Sequence, residues 1–274
     1  MTAEEMSDAL DSLLNSYANT ANFEEGSSRL DITLDEYEKS LYLTQAQDVV
    51  LKAYFQRATN SEGVGFDDSE KRQVDFSSLI TTKSITTKAS SGTAFDERGI
   101  LFDMPKRVDE HGNSISGTTD VLLILNEQLV TKVGTSPKNG EVDRRLTKTY
   151  VVVPINYKEY DKEMSKPYAQ PLRKQVWRLF QSTGSGFDYR SEIIPVWDLE
   201  DRETIYCYKI RYLRRPKPIV LVNLVEDTFK ANPSIEGFTS ITNCELNPIL
   251  HPEVVQKAAD IIIASRGRAT QARK

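Results

Sequence analysis

The sequence predicts an α+β protein: an N-terminal helical hairpin, a mixed β-sheet or barrel-like core, and a C-terminal helix packed on that sheet. Three observations predict it. Apolar residues recur at steps of three and four over residues 2–17 and again over 33–57, β-branched and aromatic residues concentrate from about Thr118 to Leu224, and a further helical stripe runs from Val254 to Ile262. The implied organisation is a helical hairpin over residues 1–60, a loop or extended-arm region over 61–117, and a β core with the C-terminal helix over 118–274.

Residues 2–17 form the first helix of this reading, with Met6, Leu10, Leu13, Leu14 and Tyr17 on one face. Thr2 and Glu5 have capping-box spacing, in which each side chain satisfies the other residue's free backbone N–H. Residues 19–31 are polar and read as a loop. Thr33 with Glu36 repeats the capping-box spacing, and Tyr37, Leu41, Ala46, Val49, Val50, Ala53 and Tyr54 carry a second helix to about Arg57. Residues 58–71, with Gly63, Gly65 and several acids, read as loop. Residues 81–91 are rich in Ser, Thr and Lys, so Ser84, Ile85 and Thr86 fit either an edge strand or an extended arm. Residues 95–108 fit no one state.

The β pattern begins with a buried strand at 121–125, a tight turn, and a second strand at 128–133. A polar loop follows at 135–143. Residues 147–155 are a strong strand, ended by Pro154. Residues 156–164 have a short helical spacing, and a second short helix carrying Trp177 is expected at 175–180. Three more strands are expected at 192–197, 204–213 and 218–224, with Asp198–Asp201 as a hairpin turn. The last helix opens with Pro252 in its first turn and Glu253 favourable to its dipole, and Gly267 is expected to stop it.

The 274 residues carry a net charge of −5 that is unevenly spread. Residues 1–70 hold 15 acidic and 4 basic side chains, while the remainder carries a net +6. Lys209, Arg211, Arg214, Arg215 and Lys217 form one basic run with no acid among them, and Arg266, Arg268, Arg273 and Lys274 form another. Segregation of this kind suits head-to-tail contact between copies, or contact with nucleic acid. An overall pI near 5.3 disfavours general duplex binding. No apolar run approaches the ~20 residues of a membrane helix, and the acidic start lacks the pattern of a signal peptide. Synthesis in a cytoplasm without cleaved-signal export is therefore expected.

Little in the chain reads as chemistry. Cys207, Cys244, His111 and His251 are too scattered for a zinc site. The two cysteines are expected as buried free thiols, with a disulfide as the alternative. His111 lies in a turn sequence, and His251 is expected as a cap or surface residue. No phosphate loop is present, because no Gly-rich run ends in Gly-Lys-Ser/Thr. Thr183–Gly186 reads as a flexible turn. Paired acids such as Asp67 with Asp68 sit in polar loops, which do not supply the groove that a glycosidase needs. Neither a catalytic residue nor a metal or cofactor site is expected.

Four stretches carry a resemblance: MTAEEMS at 1–7 running to LLNSY at 13–17, LDEYEKSLYLTQAQ at 34–47, IRYLRRPKPIVL at 210–221, and CELNPILHPEVV at 244–255. In this order they resemble virion structural proteins of crAss-like phages, the tailed phages of Bacteroides. The resemblance implies a neck or tail ring protein, a head–tail connector of twelve copies below the portal, without enzymatic activity or cofactor. It implies as partners other copies of the chain, the portal and adjacent ring or tail proteins, with genomic DNA as a further contact if a basic surface faces the channel, and no membrane. The expected place is the neck or tail of the virion, reached from the host cytoplasm during assembly. Arg211, Arg214, Arg215, Lys217, Tyr37 and Tyr54 are the expected interface or channel-facing residues. The rival readings are a nucleic-acid-binding accessory virion protein and a packaged hydrolase.

Overall fold

The computed structural model describes residues 1–21, 34–55, 74–86, 93–133, 147–166, 168, 171–182, 188–195, 203–225 and 233–271. In chain order its elements are α1 (Ala3–Ala21), α2 (Glu36–Phe55), β1 (Ile80–Ile85), β2 (Ile100–Asp103), β3 (Lys106–Val108), β4 (Ser114–Thr119), β5 (Val121–Val133), β6 (Thr147–Pro154), α3 (Tyr157–Met164), β7 (Gln175–Ser182), β8 (Tyr189–Ile194), β9 (Glu203–Arg214) and α4 (His251–Gln271). The class is α+β, as the sequence predicts. The chain divides into two compact units. The first holds Met1–Leu79, Asp109–Gly112 and Pro216–Lys274, and the second holds Ile80–Val108 and Asn113–Arg215. The boundaries expected near 60 and 118 do not coincide with this division, because the chain ends are held together by packing between helices remote in sequence.

In the first unit α4 packs against both α1 and α2. Met6, Leu10 and Leu14 of α1, Leu43, Ala46 and Val50 of α2, and Val254, Val255, Ala258 and Ile262 of α4 are all buried. The α4 stripe expected against the sheet is thus covered by α1 and α2, so three amphipathic faces close on one another. The capping box at α1 is formed: Thr2 N–H donates to Glu5 Oε2 at 2.8 Å, and Glu5 N–H donates to Thr2 Oγ1 at 3.2 Å. Between α1 and α2, buried Lys39 donates to Asp11 at 2.7 Å and to Glu36 at 2.8 Å. α2 begins after Asp35, whose carbonyl accepts from Lys39 N–H at 2.9 Å. The cap expected at Thr33 lies outside the described residues.

Other expectations in this unit are corrected. Gly267 does not end α4, which continues to Gln271. Of the two alternatives for His251, a cap or a surface residue, the surface one is overturned: His251 is buried and stands at the C-cap of the short turn Pro248–Leu250. Its Nε2–H donates to the Leu246 carbonyl at 3.0 Å, and its Nδ1 accepts from the Met1 amino group at 3.0 Å. Burial lowers its pKa. The stretch 218–224 is no strand: Pro216 and Pro218 remove ladder donors, and one bridge, Val220 to Thr242, is formed there. Val220, Leu224, Ile235 and Phe238 instead make a small core of their own, with Tyr37 packed against it.

The second unit is a mixed seven-stranded sheet in the order β1-β9-β5-β6-β7-β8-β2, curled into a half-barrel, with β3 and β4 as a separate ribbon. Every neighbouring pair in the sheet is antiparallel except β6 and β7. A parallel pair requires a crossover connection, and the segment between these strands contains α3. Tyr160 of α3 packs with Trp177, Leu179 and Ile194. The main core of the unit gathers Phe102, Leu129, Val152, Val176, Ile193, Tyr208, Ile210 and Tyr212.

Three sequence readings change here. Residues 121–133 are one strand, kinked by register shifts where a turn was expected. Residues 175–180 belong to strand β7, because Val176, Trp177 and Leu179 suit a buried pleated surface better than a short helix. The region 61–117, read as loop or arm, supplies β1 to β4, so Ser84 and Ile85 take the edge-strand alternative. The loops expected at 58–71 and 135–143, the Gly-rich turn at 183–186 and the turn at 198–201 lie outside the described residues. Cys207 and Cys244 are buried free thiols, and burial raises the Cys244 pKa to about 11.

Candidate interaction surface

Strand alternation sorts the residues of β9. Tyr208, Ile210 and Tyr212 point into the core, so Lys209 and Arg211 point to the opposite face, where both are exposed. Register places two polar rows across three strands: Thr82–Arg211–Asn126 and Ser84–Lys209–Gln128. All six residues are exposed. Neighbouring strands lie about 4.8 Å apart, and alternate residues of one strand about 6.7 Å apart. Thr82, Asn126, Gln128, Lys209 and Arg211 line one cleft of about 370 Å³. Arg211 Nε donates weakly to Thr82 Oγ1, at 3.4 Å. The result is a lattice of hydroxyl, amide and cationic donors suited to carboxylate or phosphate oxygens.

The expected interface residues do not gather on this face. Arg211 lies on it. Arg214 falls on the other side of β9, where its charge acts on Asp120, which also accepts from Tyr212 Oη at 3.2 Å. Desolvation nonetheless raises the Asp120 pKa, with the hydroxyl and nearby cations opposing it. Arg215 N–H donates to the Asp120 carbonyl at 2.8 Å, and its side chain is half-buried. Lys217 belongs to the first unit, where its N–H donates to Glu245 at 2.9 Å and its Nζ lies 3.6 Å from the same carboxylate. Tyr37 packs against the Val220 cluster, and Tyr54 donates to Glu253 at 2.9 Å while meeting Phe76 edge-on. The basic run was legible in sequence. Thr82, Ser84, Asn126 and Gln128 were not, because only strand register brings them beside it.

A second cleft of about 360 Å³ is lined by Lys148, Thr149, Tyr150, Arg173 and Lys174, where β7 has not yet joined β6. Neither cleft is lined by one buried ionisable group of the unit, that of Tyr208, Glu127 and Arg178. In that group Tyr208 Oη donates to Glu127, and Arg178 Nε lies 2.9 Å from Glu127 Oε1 but off the hydrogen-bonding direction. Arg178 also sits 3.8 Å from the Phe180 ring centroid. Desolvation raises the Glu127 pKa against the pull of Arg178 and Tyr208. All three side chains are nearly or wholly buried, which suits a polar brace within the half-barrel.

Fold and surface together define a two-unit α+β subunit, with a helical layer in one unit and an exposed basic lattice on the curled sheet of the other. The chain belongs to the phage tail ring protein 3/4 family, whose match covers residues 1–274. It is 36% identical over 233 residues to ring protein 4/5 of Bacteroides phage crAss001, covering 85% of this chain and 83% of that one. It is 26% identical over 270 residues to ring protein 3 of the same phage, covering 98% of each. A ring structural protein of a crAss-like phage, expected from the four ordered stretches, is what these relationships show.

Proposed function

We propose that copies of the chain close head to tail into a ring, twelve-fold in the resembled family, in the neck or tail of the virion between portal and tail. The observation that carries this reading is the division of charge. The first unit holds 24 acidic and 13 basic side chains, a net −11, and the second holds 16 and 22, a net +6. A subunit carrying opposite charge on its two units favours unlike contact over like contact, and a heterologous contact repeated by rotation closes into a ring. The work of the protein in this reading is shape and adhesion, with no covalent step. The partners are further copies, the portal and adjacent rings. Arg211, Arg214, Arg215, Lys217, Tyr37 and Tyr54 remain the proposed contact set. Of these, Arg211 has the surroundings that support the role best.

Light scattering and native mass measurement of the purified full-length chain test it. A discrete closed oligomer at micromolar concentration is expected, and a chain that stays monomeric over the whole soluble range would falsify it. A second reading, contact with genomic DNA, is favoured by the cations of the two clefts, Lys148, Arg173, Lys174, Lys209 and Arg211. Its mark is duplex affinity that falls steeply with salt.

A further inference from the structure

We propose that the Lys209–Arg211 row is the socket for the acidic face of α1 in a second copy, with Glu4 and Asp8 as the carboxylates that enter it. This rests on the ring reading and names the contact within it.

Many acids of the first unit are already engaged within their own chain. Asp11 and Glu36 hold Lys39, Glu245 holds Lys217, Glu253 takes the Tyr54 hydroxyl, and Glu110 accepts from Thr239 and Ser240. Glu5 closes the capping box. Glu4 and Asp8 are exposed, and their carboxylates form no hydrogen bond or ion pair among the described residues. They stand four residues apart on one face of α1, which puts their Cβ atoms about 6 Å apart. Lys209 and Arg211, two residues apart on one face of a strand, are separated by about 6.7 Å. The two pairs can therefore meet charge to charge without distortion of either element. Asn126, Gln128, Thr82 and Ser84 flank the cations and offer donors to the carboxylate oxygens that the cations leave open. The row carries two cations within a polar lattice, which matches a pair of carboxylates better than the long run of charge on a duplex.

The test is a charge swap in the full-length chain. K209E/R211E and E4K/D8K are each expected to lower the ring fraction at a fixed concentration by about ten-fold or more, since like charges then face each other. The quadruple variant, which exchanges the two charge patterns within one chain, is expected to recover rings to within about three-fold of the parent. Glu4 lies in the first turn of α1, so its reversal also weakens that helix. A folding defect from that source would persist in the quadruple variant, whereas a docking defect would be relieved. Rings that persist in both double variants overturn the pairing and leave the ring reading standing. Loss in both doubles without recovery in the quadruple also overturns it. Double variants that keep their rings but lose salt-sensitive binding to a duplex DNA probe assign the row to phosphates instead. A parent chain that never oligomerises overturns both proposals.

Discussion

Two buried or half-buried carboxylates of this chain show how neighbours decide what a charge is worth. Glu110 accepts from Ser240 Oγ at 2.6 Å, from Ser240 N–H at 2.9 Å and from Thr239 N–H at 3.3 Å, and also takes the Thr239 hydroxyl. These bonds favour the ionised form and bring its pKa from 4.5 to about 2. Glu127 goes the other way, because desolvation outweighs the help of Arg178 and Tyr208. The signs for stability are opposite. Glu110 contributes stability in full above its unfolded value of 4.5 and loses it as pH falls towards 2. Ionised Glu127 is favoured less in the folded state than in the unfolded one, so its contribution declines as pH rises above 4.5. The variant Glu110→Gln is expected to lose about 1.5–3 kcal/mol at pH 7, the range for hydrogen bonds to a charged group. Its deficit should narrow progressively between pH 4.5 and 2. Denaturant melts of parent and variant across that range measure it, and a deficit independent of pH would show that Glu110 acts by shape and not by charge.

At the scale of elements, the three helices of the first unit depend on apolar burial. Leu10 lies on α1 with no exposed surface, whereas Leu41 on α2 is 42% exposed. Leu10→Ala is expected to cost about 2–5 kcal/mol, the usual range for removing a buried leucine side chain. Leu41→Ala should stay within about 0.5 kcal/mol of the parent. Equal costs in chemical denaturation would mean that the face of α1 against α2 and α4 is not where the layer gains its stability. Helix α1 was legible because period and cap agree: Met6, Leu10 and Leu14 repeat regularly, and Thr2 with Glu5 marks the start. In α2 the expected stripe was misplaced in part, since Leu41 is exposed while Leu43 and Leu51 are buried. The sheet was legible in its strongest strands, β6 and β9. It was misread where tertiary context decides. Residues 175–180 carry spacing compatible with either state, and parallel pairing with β6 made them a strand. In β5, local shifts in pairing near Ile124 and Val130 kink one long strand where a turn was expected. The candidate surface was half legible for the same reason. A run of cations shows in sequence, but the partners that β1 and β5 set beside it depend on registers spanning more than 80 residues.

Across the whole molecule, charge is divided between two units of opposite net sign, and this division predicts how assembly answers to salt. A contact made by exposed charges is screened over about 10 Å at 0.1 M and about 3 Å at 1 M ionic strength. Each exposed pair contributes little alone, on the order of 0–1 kcal/mol, but a closed ring repeats it at every interface, so a small change per contact moves the assembly midpoint sharply. Raising sodium chloride from about 0.05 to 0.5 M is therefore expected to shift the monomer-to-ring midpoint to higher protein concentration. The neutral variant K209Q/R211Q should show a flatter dependence, because part of what salt screens has been removed from it. Burial of apolar surface responds in the other direction to strongly excluded salts such as sulfate. Sodium sulfate at matched ionic strength should then weaken assembly less than chloride does. Midpoints measured by light scattering in the two salts separate these contributions. A midpoint that falls as chloride rises would mean that apolar contacts hold the ring and that the division of charge serves some other end.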